Sequence, residues 1–305
     1  MKYLKLYENF IQPDSEIHKL CKKYGIKNYT INNGLVDVDG NVDLSSKKLS
    51  KLPIKFGVII GYFSCYDNQL TSLEGAPQEV SGDFYCHNNK LTTLEGAPQK
   101  VGNSFYCYNN KLTSLVGAPE KVGKLFNCGN NQLTSLDGAP KFIGSTFYCN
   151  DNKLTSLKGG PQEVSGNFYC SGNKLTSLEG GPQEVGGSFN CSVNKLTSLV
   201  GGPKEVGGSF NCSVNNIYRL DFIPNYKGAL YISKTPFYKI WKLIEDSIEK
   251  DYTLFDHFIE NNIFRDPGYQ GDNSGLPIII LDRLNDFLDM CKIPNVEEIE
   301  GYTCI

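Results

Sequence analysis

Methionine and tryptophan are almost missing from this 305-residue chain, which holds two and one of them, and histidine occurs only three times. His18, His87 and His257 are scattered, with no serine, cysteine or carboxylate converging on any of them. This gives no basis for a hydrolytic triad or an imidazole-built metal centre. Long apolar runs are also lacking. The longest, Val58–Ile60 and Leu276–Leu281, fall far short of the about 20 residues that cross a bilayer. Met1–Phe10 contains no signal-like stretch. The expectation is a soluble chain with no membrane partner. The formal net charge is −3, so the positive excess of a nucleic-acid binder is absent. No two cysteines stand two to four residues apart, as zinc sites require. The glycine-rich turns lack the Lys-Ser/Thr of a phosphate loop. No cofactor or metal is expected.

What is abundant is glycine (31), tyrosine (18) and cysteine (11). Eight cysteines, Cys65, Cys86, Cys107, Cys128, Cys149, Cys170, Cys191 and Cys212, fall at a fixed step of 21 residues. An asparagine follows three residues after each, from Asn68 to Asn215, and leucines and prolines keep the same step. The unit reads V-x-x-x-F-x-C-x-x-N-x-L-T-S-L-x-G-x-P-x-x. Self-similarity at this period means a solenoid.

Within a unit, Phe84 and Cys86 alternate with Asp83, Tyr85 and His87, the period of a short strand. Phe and Cys point inward, and stacked rungs build a parallel sheet with a strand spacing of about 4.8 Å. The asparagine ends the strand and satisfies loop groups that would otherwise be buried unpaired. The leucine pair and the valine close the core from the other side. Gly-x-Pro is a turn, so the return side of each rung should be irregular or extended. Val42, Leu44, Leu49 and Leu52 open the ladder with Lys47 in the asparagine slot. A 20-residue step from Cys212 to Ile232 closes it, which gives about ten rungs.

The pattern F-x-C-x-x-N-x-L resembles the L-x-L-x-x-N-x-L core of leucine-rich repeats, with Phe and Cys in two leucine slots. The following T-S-L-x-G-x-P is similar to the short bacterial and phage type. The resemblance covers roughly residues 42–235 and implies an α/β solenoid with a concave parallel sheet. It also implies protein–protein recognition. Some enterobacterial relatives of this type carry a ubiquitin ligase with a Cys-x-Asp nucleophile. Here Cys291 precedes Lys-Ile and Cys304 precedes Ile305, while Cys65-Tyr-Asp and Cys149-Asn-Asp put their cysteines in core slots. No enzyme activity is carried over.

The organisation expected is an N-terminal cap over 1–41, the solenoid over 42–235 and a helical C-terminal cap over 236–305. The first cap should hold a helix over about Asp14–Tyr24, capped by Asp14 or Ser15 and stopped by Gly25, then a hairpin over Tyr29–Asn41. The last cap carries fourteen acids against six bases. It should hold three helices, around Phe237–Ile248, Leu254–Ile259 and Leu281–Cys291.

Three columns have bland explanations. The cysteines are small apolar core residues, which implies a reducing, cytoplasmic setting. Lys90, Lys111, Lys153, Lys174 and Lys195 form a solvated edge that resists pairing, and the threonines from Thr71 to Thr197 belong to the repeat itself. The outward strand positions are different, because the core does not dictate them. They are rich in tyrosine toward the N-terminal half and nearly uncharged, a composition suited to recognition. Tyr62, Tyr66, Asp83, Tyr85, His87, Tyr106, Tyr108, Asn127, Tyr148 and Tyr169 are the expected partner-binding residues. A protein is the expected partner, and a glycan on the same face is the alternative.

Overall fold

A computed structural model describes residues 13–218, 222–248, 264–265, 278–279, 281–299 and 303–304. The chain forms two compact units. One comprises Met1–Lys153 with Lys158–Asn167, and the other Leu154–Leu157 with Phe168–Ile305.

In the first unit six two-residue strands, Val42–Asp43, Phe63–Ser64, Phe84–Tyr85, Phe105–Tyr106, Phe126–Asn127 and Phe147–Tyr148, pair in parallel. Every partner lies 21 residues away (Phe84↔Phe105, Tyr85↔Tyr106), so each repeat position forms a column. In the second unit Phe168–Tyr169, Phe189–Asn190, Phe210–Asn211 and Leu230–Tyr231 continue the same pattern, the last after the expected step of 20 (Phe210↔Leu230).

The return side of the rungs is extended, and it is more regular than the turn residues alone suggest. The segment leading into each inner strand forms a second parallel ladder. In the first unit it includes Phe56–Ile59, Glu79–Val80, Lys100–Val101, Lys121–Val122 and Phe142–Ile143. Glu184–Val185, Glu205–Val206 and Asn225–Tyr226 do the same in the second unit. Burial of one residue per strand explains why it forms. Val80, Val101, Val122 and Ile143 turn into the core while their neighbours face solvent.

Phe63, Phe84, Phe105, Phe126 and Phe147 are fully buried, and successive rings stack at 5.1–5.8 Å. The cysteine column and both leucine columns are buried beside them. The asparagine ladder ties rungs together. Asn131 Nδ2 donates to Cys128 O (3.0 Å), Gly129 O (3.2 Å) and Cys107 O (3.1 Å), while its Oδ1 accepts from Leu112 N (3.0 Å). One side chain thus satisfies backbone groups of its own rung and of the rung before it. Close stacking also explains a glycine column. A Cβ on Gly117, at φ 93°, would meet Leu94 and Glu95 backbone at 2.6 Å.

At the N-terminal end the helix Asp14–Tyr24 is present and stops at Gly25 (φ 70°). The expected cap is corrected. Pro13 occupies the N-cap position, and no side chain caps the helix. Ile17 and Cys21 are buried and Leu20 half-buried. Tyr29–Asn32 and Leu35–Val38 form the hairpin. Within the second unit the helices Tyr238–Ile248 and Leu281–Met290 match two of the three expected. A small sheet joins Phe264–Arg265, Ile278–Ile279 and Thr303–Cys304. The helix expected around Leu254–Ile259 lies outside the described residues.

Two stability predictions follow from the ladder. Asn131→Ala leaves the buried Leu112 amide without its acceptor and removes one of the two donors to each of the Cys107, Cys128 and Gly129 carbonyls. It should cost about 2 kcal/mol, read as a lower denaturation midpoint. Gln132→Ala, on the exposed neighbour, should be near neutral. The residue before each ladder asparagine is left-handed. Asp67, Asn88, Asn109, Asn130 and Asp151 suit φ of 50–55°, but Val193 sits there at φ 56°. Val193→Asn should therefore raise stability by roughly 1 kcal/mol, read in the same melt.

Candidate functional site

Parallel in-register pairing places equivalent outward residues side by side, and in the first unit this gathers six rings into one patch. Tyr66, His87 and Tyr108 follow the cysteines of three successive rungs. The His87 imidazole lies between the two tyrosines, 4.6 Å from Tyr66 and 4.4 Å from Tyr108, with interplanar angles of 7° and 14°. One column over, Tyr85 stacks on Tyr106 at 4.9 Å and 6°. Tyr62 meets Tyr85 edge-on at 6.2 Å, and the two columns touch through T-shaped contacts such as Tyr106–Tyr108. Offset and edge-to-face pairs each contribute about 0.5–1.5 kcal/mol beyond their burial. The patch is therefore a rigid surface rather than a set of loose side chains.

The expected residues separate into groups. Tyr62, Tyr66, Asp83, Tyr85, His87, Tyr106 and Tyr108 come together. Asn127 and Gly129 interrupt both ring columns on the next rung. Asn127 Oδ1 accepts from Gly129 N at 3.0 Å, so the amide is folded onto its own strand. Tyr148 stands beyond that interruption, in register with Asn127. Tyr169 belongs to the second unit, in register with Asn190. One expectation is corrected. His87 occupies the outward face as foreseen, but it is only 9% exposed because the two flanking tyrosines cover its ring.

Electrostatics follow from this packing. Asp83 Oδ1 accepts from Ser104 N at 2.9 Å, and Tyr85 Oη donates to its Oδ2 at 3.1 Å. Burial, and then the Asp83 charge, push the Tyr85 hydroxyl up to about 12. Burial holds the His87 imidazole below its ordinary value, and the opposing pull of Asp67 is weaker. The neutral ring is the favoured form.

Two features were not legible in the repeat pattern. Ser64 Oγ and His87 Nδ1 are the buried side-chain polar atoms without a hydrogen-bond partner among the described residues, and both belong to this part of the face. The left-handed column also borders it. Ser46 Oγ donates to Asp67 Oδ2 at 2.8 Å, and Asn109 Nδ2 donates to Asn88 Oδ1 at 2.8 Å. The Asn-Asn and Asp-Asn pairs preceding the ladder leucines were the available signal.

The other columns carry no comparable chemistry. All eleven cysteines are free thiols. Cys86, Cys107, Cys128 and Cys191 donate S–H to the carbonyl of the following rung at 3.2–3.4 Å. Burial raises the ladder thiols far above the ordinary range, so they are poor nucleophiles. Among the described residues no three His, Cys, Asp or Glu are grouped to hold a metal, and no helix is long and apolar enough to cross a membrane. The lysine column is exposed, with Lys90 donating to Gln69 and Lys153 to Gln132 at 3.3 Å. A cavity of about 470 Å³ lies on the second ladder beside exposed Phe142, lined by Lys141, Gly160 and Gln162, apart from the rings.

A 21-residue rung, in-register parallel strands, a buried Phe-x-Cys and a strand-ending asparagine ladder define a solenoid of the leucine-rich-repeat type. No family model matches the sequence, and no curated protein does. Among solved structures the chain is similar to YopM from Yersinia enterocolitica. The identity is 18% and the TM-score 0.42, over 64% of this chain and 56% of that one. The chain thus spans little more than half of that structure's length. The class assignment rests on the rung geometry itself.

His87 makes the patch pH-sensitive in a defined direction. Its folded value lies below the unfolded one, so its contribution to stability is complete above the unfolded value of about 6.5. That contribution is lost as pH falls toward the folded value, because the unfolded chain binds the proton first. The melting temperature should drop between pH 7.5 and pH 5, and His87→Phe, which keeps a ring in the stack, should remove part of that drop. Equal pH dependence in both proteins would refute the role.

Proposed function

We propose that this chain is a non-enzymatic binding module that captures a partner protein through the outward face of its inner strands. The observation that carries this reading is the ring patch around Tyr85, Tyr106 and His87. The core is complete without it, since Phe, Cys, Leu and Val columns already fill the interior. Tyrosine supplies large contact area at small entropy loss, and pre-stacked rings lose still less on binding. On this reading 1–41 and 236–305 cap a repeat segment over 42–235. The repeat is of the short bacterial or phage type, working in a reducing cytoplasm. Tyr148 adds a ring to the same column past Asn127, and Tyr169 holds the equivalent repeat position within the second unit.

A glycan is the second occupant to consider, favoured by ring faces beside the Asn127 amide. The test compares wild type with the variant carrying Tyr85→Ala, Tyr106→Ala and Tyr148→Ala in pull-downs from bacterial lysate, with circular dichroism confirming that the variant is folded. A protein held by the wild type and lost, at least about tenfold, by the folded variant supports the reading. Equal capture by both would sink the face assignment. Absence of any captured protein, with tyrosine-dependent binding on a glycan array, would transfer the same face to sugars.

A further inference from the structure

The face that holds the rings has an uneven charge balance. Across the outward columns of the six rungs of the first unit, the strand positions and the left-handed column beside them, the formal charges are Asp43, Asp67, Asp83 and Asp151. No lysine or arginine stands among them. Lys47 and Lys124 border these columns by one residue, on the rungs that flank the ring patch, and Lys48, Lys90, Lys111 and Lys153 stand two residues past the left-handed column.

Each of the four carboxylates is fixed by neutral donors. Ser45 donates to Asp43, Ser46 to Asp67, Tyr85 and the Ser104 amide to Asp83, and Asn150 to Asp151. The ion pair between Lys100 and Glu79 belongs to the second ladder. The charges are therefore oriented but not neutralised. Asp83 and Asp67 bracket the rings, one on the side where the strands begin and the other where they end. Where the stacks end, the outer faces of Tyr66, and of Tyr106 and Tyr108 toward the ring-free rung of Asn127 and Gly129, carry the negative side of the aromatic quadrupole. Burial keeps His87 neutral, so the middle of the patch adds no repelling charge. The two orphaned buried atoms, Ser64 Oγ and His87 Nδ1, add a second and independent sign that hydrogen-bonding capacity is unmet at this place.

From these observations we infer that the face takes a basic, arginine-bearing protein segment. Guanidinium groups lie flat on the ring faces that the stacks leave open, the outer faces of Tyr66, Tyr106 and Tyr108, and pair with Asp67 and Asp83 at the margins. Arginine fits better than lysine, because its planar, weakly hydrated head stacks on an aromatic face while its fork donates to a carboxylate. The inference rests on the protein-binding reading above and specifies the partner's chemistry. An acidic partner is excluded by the same charges.

The experiment uses the full chain and a fluorescein-labelled peptide alternating arginine with glycine, followed by anisotropy at low and high salt. A lysine–glycine peptide and a glutamate–glycine peptide serve as comparators. The arginine peptide should bind at low salt, more tightly than the lysine one, and weaken as salt screens the carboxylates. The glutamate peptide should not bind. Tyr106→Leu, which keeps apolar bulk but removes the ring face, should weaken binding by about fivefold or more. Tyr106→Phe should stay within about twofold. The double variant Asp67→Asn, Asp83→Asn retains the neutral hydrogen-bond acceptors and should weaken binding at least as much as Tyr106→Leu while flattening the salt dependence. Undiminished binding by the double variant, or by Tyr106→Leu, overturns the inference. So does a folded wild type that ignores the arginine peptide. If that last result accompanies tyrosine-dependent protein capture in the lysate experiment, only the cationic chemistry is lost. If capture also fails, the binding face itself is lost.

Discussion

The interaction on which the rest depends is the asparagine amide that ends each inner strand from Phe63–Ser64 to Phe210–Asn211. A rung of 21 residues has only two paired residues in its inner strand, too few for a sheet to hold its own bend into the following loop. The amide supplies what the strand cannot. It donates to carbonyls of its own rung and the preceding one and accepts an amide from that preceding rung, within a region that excludes water. Because those partners recur at a fixed offset, satisfying them fixes the register. Phenylalanine stacking and thiol-to-carbonyl contacts can then form only between equivalent positions.

Register has a consequence outside the core. Once equivalent residues must lie side by side, the outward face becomes a set of columns whose chemistry is written repeat by repeat. Tyrosine or histidine in neighbouring repeats becomes a stack, as at Tyr66, His87 and Tyr108, and a single asparagine and glycine at Asn127 and Gly129 break both stacks at once. The same constraint collects aspartates along the margins of the face while the lysines fall beyond it. Binding specificity in such an architecture is composed by substitution in a few columns, without disturbing the inward ones. This is why the interior is nearly uniform and the tyrosine patch local.

Some local choices work against the pattern. Val193 and Val214 are β-branched residues in a left-handed slot that earlier repeats fill with Asp, Asn or, at Gly172, glycine, and Phe142 is an exposed aromatic where neighbouring repeats carry Glu or Lys. His87 is a polar ring buried without a partner for Nδ1. The valines carry backbone strain. The buried imidazole carries an unmet hydrogen bond, and its place on the ring patch ties that cost to the surface proposed to meet a partner.

The sequence by itself determined the rung length, the inward columns of Phe, Cys, Leu and Val, the strand-ending role of the asparagine and the identity of the outward residues. A strict period leaves each position one environment, and burial sorts residue types accordingly. The N-terminal helix, two of the C-terminal helices and the hairpin were also legible, from apolar spacing and from Asn33-Gly34. The tertiary structure alone decided the second ladder, the Pro13 start of the first helix, the covering of His87 and the neutral partners of the four aspartates. These depend on how a side chain meets atoms one full rung away. The distance between repeats can be read from a linear pattern, but the rotamers, ring angles and hydrogen-bond choices made across that distance are settled only when the rungs are stacked.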